Sequence, residues 1–186
     1  MKKKNYVYLA LLIIPILLLF GKYKNDHKEP YYLVLAQEIQ KEFISDIKKT
    51  YSVNCYGSGG GFLHNVRKIA VSFDSRDKDF GIDESRILIV NSIENLLHRV
   101  NKNEEIRPYL DHYPFSCIGT KISFSFLNKK GKRVDEEFVA HVFITDDGRI
   151  CYSYYNQEKK MLRDLYEESY EEALRIVRDQ HELKEF

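Results

Sequence analysis

Apolar residues recur every three or four positions in three stretches of the chain, which is the spacing of amphipathic helices. The first stretch runs from Tyr31 to Lys49. The second follows Asp83, a residue type that caps helices, and runs as far as Lys102. The third covers residues 158–180. The pattern therefore predicts three helices, the last of them at the C-terminal end.

Alternation of apolar and polar residues predicts strands between these helices. Ile69, Val71 and Phe73 alternate with polar or small residues, and three further segments, 118–126, 138–144 and 150–155, do the same. Turn sequences at 128–131 and 146–148 join those three into an antiparallel meander. A short strand at 51–56 precedes a glycine-rich turn or loop at 57–61. The predicted fold is α+β, with one antiparallel sheet of four to five strands and three helices packed on it.

An uncharged, apolar run at residues 5–21 follows three lysines at the start of the chain. Such a run is either a cleaved signal peptide or a membrane helix. No pair of small residues marks a cleavage site near Phe20, and the run reaches the lower limit of about 17 residues for a membrane span. The pattern favours an uncleaved hydrophobic helix at 1–22, a polar tether at 23–30 and a single globular domain at 31–186.

The basic residues around this run predict its orientation. More of them precede it than follow it, so the positive-inside rule places the N-terminus in the cytoplasm. We therefore expect a single-pass membrane protein, held in the bilayer by residues 5–21, with an exported C-terminal domain. The alternative is a periplasmic or secreted factor released by cleavage of the signal.

Charge changes sign along the chain. The formal net charge is +1, and the five lysines before residue 25 contribute +5, which leaves −4 for the remainder. A mildly acidic domain argues against a nucleic-acid partner, because such partners are bound by basic surfaces. A protein or another component of the cell envelope is the expected partner.

Cysteine and histidine spacing gives little support for catalysis. The three cysteines are Cys55, Cys117 and Cys151, and no two lie three positions apart as in C-x-x-C. We expect Cys117 and Cys151 either to pair or to be buried as free thiols. The histidines show no metal-ligand spacing, so neither a metal nor a cofactor is predicted. The alternative to a binding protein is a thiol-dependent hydrolase that uses Cys55, with His64 or His112 as its base.

The segment 101–116 is long for a loop in a small domain, and long loops are often functional. Charged groups stand between its aromatic residues, and two prolines restrict it. The candidate binding residues are Arg107, Tyr109, His112, Tyr113 and Phe115. The other interpretation is that its apolar members simply cover one end of the sheet.

Three stretches together resemble a known family. They are Gly59–Gly61, the segment Glu-Ile-Arg-Pro-Tyr-Leu at 105–110, and Tyr-Pro-Phe at 113–115. On these residues the region 35–156 resembles a family of uncharacterised bacterial proteins with an N-terminal membrane or lipoprotein signal. The resemblance implies a bacterial, exported protein and brings neither an activity nor catalytic residues. Lipid attachment is not implied, because no cysteine follows the apolar run directly. The leading hypothesis is a membrane-anchored, non-catalytic binding domain.

Overall fold

One mixed sheet of six strands and three helices form the part of the chain that the computed structural model describes, residues 29–76 and 78–186. The helices are α1 (Tyr31–Tyr51), α2 (Ile82–Lys102) and α3 (Tyr170–Asp179). The strands are β1 (Asn54–Gly61), β2 (Lys68–Arg76), β3 (Thr120–Leu127), β4 (His141–Ile144), β5 (Arg149–Asn156) and β6 (Met161–Ser169). The predicted α+β class is confirmed. The hydrophobic helix predicted at 1–22 lies outside the described residues.

Strand order in the sheet follows the order in the chain, from β1 to β6. All neighbours are antiparallel except β2 and β3, whose parallel register pairs Val71 with Ile122. The prediction of a purely antiparallel sheet with four to five strands was therefore wrong on both points. The physical reason is the helical connection through α2. It returns the chain to the end of the sheet where β2 begins, so β3 runs beside β2 in the same direction.

The three helices cover one face of the sheet. The inward residues of neighbouring strands stand in one row by register, as with Phe73, Phe124 and Val142. The ring of Phe43 in α1 lies 6.0 Å from that of Phe73, edge to face. In α2, Ile89 and neighbouring apolar residues are fully buried on the same core. Burial of these side chains supplies the main favourable free energy of folding.

The glycine-rich segment 57–61 lies in β1 and is not the predicted loop. It pairs with β2 from Gly57 opposite Ser72 to Gly61 opposite Lys68. The connection between the two strands lies at 62–67 instead. Glycine has a low strand propensity. Here the backbone pairing with β2 and a hydrogen bond from a side chain of α1 offset that cost. The amide of Gln40 donates to the carbonyl of Gly59 at 2.8 Å.

The helix predicted over 158–180 is also wrong in its first half. Residues 161–169 form β6, which pairs with β5 and places Tyr166 opposite Tyr152. Only Tyr170–Asp179 is helical, and there Ala173 and Val177 are buried. β6 is the last strand of the sheet and mostly exposed, so its charged residues produce no clear alternation in the sequence.

The start of α2 differs by two residues from the prediction. Gly81, not Asp83, is the N-cap, and Asp83 lies in the first turn, where it forms an ion pair with Arg86. A carboxylate in this turn favours the helix through its dipole. Among residues 29–76 and 78–186, none of the helices combines the length and the apolar character needed to cross a bilayer.

Candidate functional site

The second face of the sheet has no helix on it in the described part of the chain. Apart from Phe143, its side chains are small or polar, and the hydroxyls of Ser72 and Ser123 on the parallel pair form a hydrogen bond at 2.9 Å. The face is formed by Ala70, Ser72, Lys121, Ser123, His141, Phe143, Cys151 and Ser153. This mostly polar face is the one on which a ligand could lie, because the other face is filled by the core.

A cleft of about 880 Å³ opens where β2, β3 and β5 end. The loop at 128–135, which follows β3, forms one of its walls. The residues that line it are Tyr56, Asp74, Ser125, Leu127, Asn128, Gly131, Lys132, Arg133, Asp135, Tyr155 and Gln157. Its volume lies within the range of about 300–1,000 Å³ typical of ligand sites.

A serine, a histidine and a tyrosine meet beside this cleft. Ser125 Oγ lies 3.1 Å from His141 Nδ1 and 3.5 Å from Tyr56 Oη. Burial lowers the pKa of His141, and the positive charge of Arg133 acts in the same direction. The imidazole is therefore neutral at neutral pH, and it then has one donor and one acceptor nitrogen. The Ser125 hydroxyl pairs with Nδ1 in either tautomer.

Charges of both signs line the cleft in equal number. Asp74 and Asp135 oppose Lys132 and Arg133. The Asp74 carboxylate accepts a hydrogen bond from Asn54 at 3.3 Å and pairs with Arg76 at 3.5 Å. Asp74 therefore does not orient the imidazole of His141, as the acid of a catalytic triad would. The arrangement is suited to holding a polar ligand with both donors and acceptors.

The loop residues singled out from the sequence lie at the opposite end of the sheet, before β2 and β3 begin. The guanidinium of Arg107 lies over the ring of Tyr113, 4.8 Å from its centroid. The ring of Tyr109 packs against that of Tyr32 at 5.8 Å. His112 is exposed, 3.4 Å from the Asp111 carboxylate.

Phe115 has a different setting from the other four. It is buried in the core, and the side chain of Asn101 bonds both its backbone N–H and its carbonyl. The loop thus brings Arg107 and Tyr113 together and directs Phe115 inward. A binding role for these five residues stays a prediction.

The structure separates Cys55 from its proposed bases. Cys55 stands near the start of β1, and its thiol donates to the Gly57 carbonyl at 3.5 Å. His64 follows the end of β1, about 20 Å along the strand at 3.3 Å per residue. His112 lies at that same end, because Asn65 bonds to Asp111 at 2.6 Å. The thiol-hydrolase alternative therefore has no geometric support from these residues.

All three cysteines are free thiols. Cys117 and Cys151 are buried, which was one of the two predicted outcomes. Burial raises the pKa of the Cys117 thiol, and burial together with Glu167 raises that of Cys151 to about 11. Because the thiolate is the nucleophilic form, both thiols are protonated and inert at neutral pH.

Comparison of the chain with protein-family models, curated proteins and solved structures finds no match. The resemblance drawn from the glycine, Arg-Pro-Tyr and Tyr-Pro-Phe stretches therefore stays a prediction. Within residues 29–76 and 78–186, no group of three or more His, Cys, Asp or Glu side chains is placed to hold a metal ion. Function is accordingly inferred from the surfaces themselves.

Sequence reasoning missed the cleft. Ser125 alternates with the apolar residues of β3, and His141 adjoins the inward residue Val142, so both positions were readable as outward-facing. Their meeting depends on β4 pairing with β3 in the register that places Ser125 opposite His141. The register of a strand pair is set by the whole sheet, so no local pattern predicts that Ser125 and His141 meet.

Proposed function

We propose that the protein is a bacterial, membrane-anchored binding protein whose α+β domain lies outside the cytoplasm. Its anchor is the apolar run at 5–21, and its domain acts by binding a partner protein of the cell envelope rather than by catalysis. The cleft beside Ser125 and His141 is the proposed binding site.

The observation that carries this proposal is the open cleft on the sheet face that no described helix covers. Tyr56 is 58% exposed there, and Tyr155 lines the same cavity. Tyrosine is enriched at protein interfaces because its ring is apolar and its hydroxyl forms hydrogen bonds. A peptide segment offers donors, acceptors and side chains of either charge, which matches the equal number of acids and bases in the cleft.

Photocrosslinking in cells tests the binding site. The full chain carries p-benzoylphenylalanine in place of Tyr155, and a matched chain carries it in place of Tyr166, a tyrosine of β6 outside the cleft. We expect a discrete protein adduct from position 155 only, and we expect Arg133→Glu to reduce it by reversing a charge in the cleft. Equal adducts from both positions, or none from position 155, would contradict the assignment.

A fusion of alkaline phosphatase after Phe186 tests the location. The enzyme folds only outside the cytoplasm, so activity from the full chain indicates export of the domain. Deletion of residues 5–21 is the control and should abolish the activity. Activity that survives this deletion, or an inactive full-length fusion, would show that the apolar run does not export the domain.

A further inference from the structure

Exposed apolar side chains gather at the end of the domain where β2 and β3 begin. Tyr31 is 53% exposed, Leu63 84%, Tyr113 54% and Ile118 54%. Large apolar side chains scattered singly on a surface are ordinary, whereas several on one patch indicate an interaction surface. We propose that this patch, Tyr31, Leu63, Tyr113 and Ile118, rests in the lipid interface of the membrane that holds the anchor. The inference depends on the anchoring proposed above.

Three chain segments that carry this patch are joined by direct contacts. Tyr32 Oη donates to the carbonyls of Phe62 at 3.0 Å and Leu63 at 3.2 Å. Tyr31 bonds through its hydroxyl to the carboxylate of Glu105. These bonds join the start of α1, the β1–β2 connection and the loop before β3 into one surface.

The fourth segment, at 116–119, adjoins the same surface. A depression of about 350 Å³ is lined by Arg67 from the β1–β2 connection, by His112 from the long loop and by Ile118. Ile118 was expected to begin a strand and to face the core, but β3 starts at Thr120 and Ile118 points to solvent. The exposed isoleucine shares this depression with His112, the chain neighbour of Tyr113, and so extends the patch on that side.

Under the proposed anchoring, chain length limits how far the start of α1 can lie from the bilayer. Residue 31 begins α1, and only nine residues, 22–30, separate it from the apolar run at 5–21. Nine residues span at most about 32 Å when fully extended. A surface tethered so close to the bilayer has a high effective concentration near lipid, so even weak apolar contacts keep the surface on the bilayer.

The four residues of the patch carry no charge, which makes the contact apolar rather than electrostatic. Groups of both signs lie beside them, since Arg67 lines the depression with Ile118 and Glu105 accepts a hydrogen bond from Tyr31. Lys121 pairs with Asp146 at 3.0 Å, and Lys68 pairs with the same carboxylate. Tyrosines favour the headgroup level, and Leu63 and Ile118 gain by leaving water. The contact should therefore depend little on salt or on anionic lipid.

The absence of tryptophan from the chain allows a direct test. Leu63→Trp places a single reporter on the patch, and Tyr166→Trp places one on β6 as the control. Each full-length variant is reconstituted in phosphatidylcholine vesicles with and without brominated acyl chains. We expect emission from position 63 to shift to shorter wavelength and to be quenched by the brominated lipid, while position 166 shows neither effect. Tyr113→Ser and Ile118→Ser, added to the Leu63→Trp chain, should reduce the quenching.

Flotation of the vesicles after an alkaline wash reports anchoring separately. Chains that float while position 63 stays unquenched would overturn the lipid contact and leave the anchor intact. Chains that do not float would overturn both proposals. Quenching at position 63 that high salt abolishes would show an electrostatic contact and would also overturn the inference. Quenching that persists in high salt supports it.

Discussion

At the scale of single residues, a buried polar network joins α2 to the sheet. Arg86 Nε donates to Glu168 Oε1 at 2.7 Å, and Tyr152 Oη donates to the same oxygen at 2.6 Å. The Glu168 side chain is fully buried. Its sequence context, a charged run at 166–172, is typical of a solvated helix face. A buried charge is tolerated only when an opposite charge pairs with it, so the Arg86 guanidinium and the Glu168 carboxylate stabilise each other.

Replacing Arg86 with methionine should strongly destabilise the domain. The change leaves the Glu168 carboxylate buried without its cation, at a cost of about 3–5 kcal/mol in the free energy of unfolding. Urea denaturation measures this free energy. Arg175→Met is the matched control, because Arg175 forms an exposed pair with Asp179 on α3, worth at most about 1 kcal/mol. Similar losses from both variants would contradict the role of the buried pair.

His141 should make stability depend on pH. Burial, aided by Arg133, lowers its folded-state pKa below the unfolded value of about 6.5. The unfolded chain therefore binds this proton first as the pH falls, so the free energy of unfolding decreases from about pH 6.5 down towards the folded-state pKa, and the contribution of His141 is constant above about pH 6.5. Urea denaturation across this range should show the slope, and His141→Gln should flatten it.

His98→Gln, which replaces an exposed histidine of α2, is the control for the substitution itself. A slope that persists in His141→Gln would assign the proton uptake to another group.

At the scale of elements, the predictions are least accurate for the two edge strands, because the strand predicted at 51–56 covers only the start of β1, and a helix is predicted where β6 lies. β2 and β3 carry one apolar face each, so their alternation is clear in the sequence. β1 consists largely of glycine, and β6 is exposed along most of its length. Edge strands need fewer apolar residues because one side pairs with no neighbour. Their identity came from pairing with β2 and β5, which a local pattern does not contain.

Neighbouring glycines in β1 should respond differently to substitution. A Cβ added at Gly60 would collide with the carbonyl of Lys68 and the ring of Phe62, whereas one at Gly59 meets nothing within 4 Å. We expect Gly60→Ala to lower the free energy of unfolding by about 1–3 kcal/mol, the usual cost of forced overpacking. Gly59→Ala should have little effect on this free energy. Thermal denaturation measures both variants. Equal effects would contradict the close approach at Gly60.

At the scale of the whole molecule, residues 31–186 form one compact unit around a single core. The C-terminal tail is held to α2 by Asn91, which is fully buried. Its side chain donates to the carbonyl of Glu182 at 3.0 Å and accepts from the N–H of Lys184 at 2.7 Å. The C-terminal tail is thus attached to α2.

Residues 29–186 expressed alone should therefore unfold in one cooperative transition. A single shared core gives two-state behaviour in domains of this size. Far-UV circular dichroism and tyrosine fluorescence should give coincident urea curves. Phe43→Ala, which opens a cavity between α1 and β2, should move both midpoints together to lower urea. Separate transitions for the two probes would show that the helices and the sheet fold independently.

The sequence alone predicted the α+β class, α1, α2 and the hairpin from β4 to β5. These elements carry their own periodicity, because each has one buried face whose spacing is set by local backbone geometry. The sequence also predicted a loop rich in aromatic and charged residues before β3. It did not predict the parallel pairing, β6 or the cleft, since each depends on residues far apart in the chain.

Local spacing of apolar side chains by itself determined which segments form buried helices and strands, because that spacing follows from the repeat of each helix or strand. Tertiary structure decided how those segments meet. The crossover through α2 made β2 and β3 parallel, the register between β3 and β4 brought Ser125 to His141, and the helices left one face of the sheet open. These arrangements depend on contacts between residues far apart in the chain, and a local pattern contains none of those contacts.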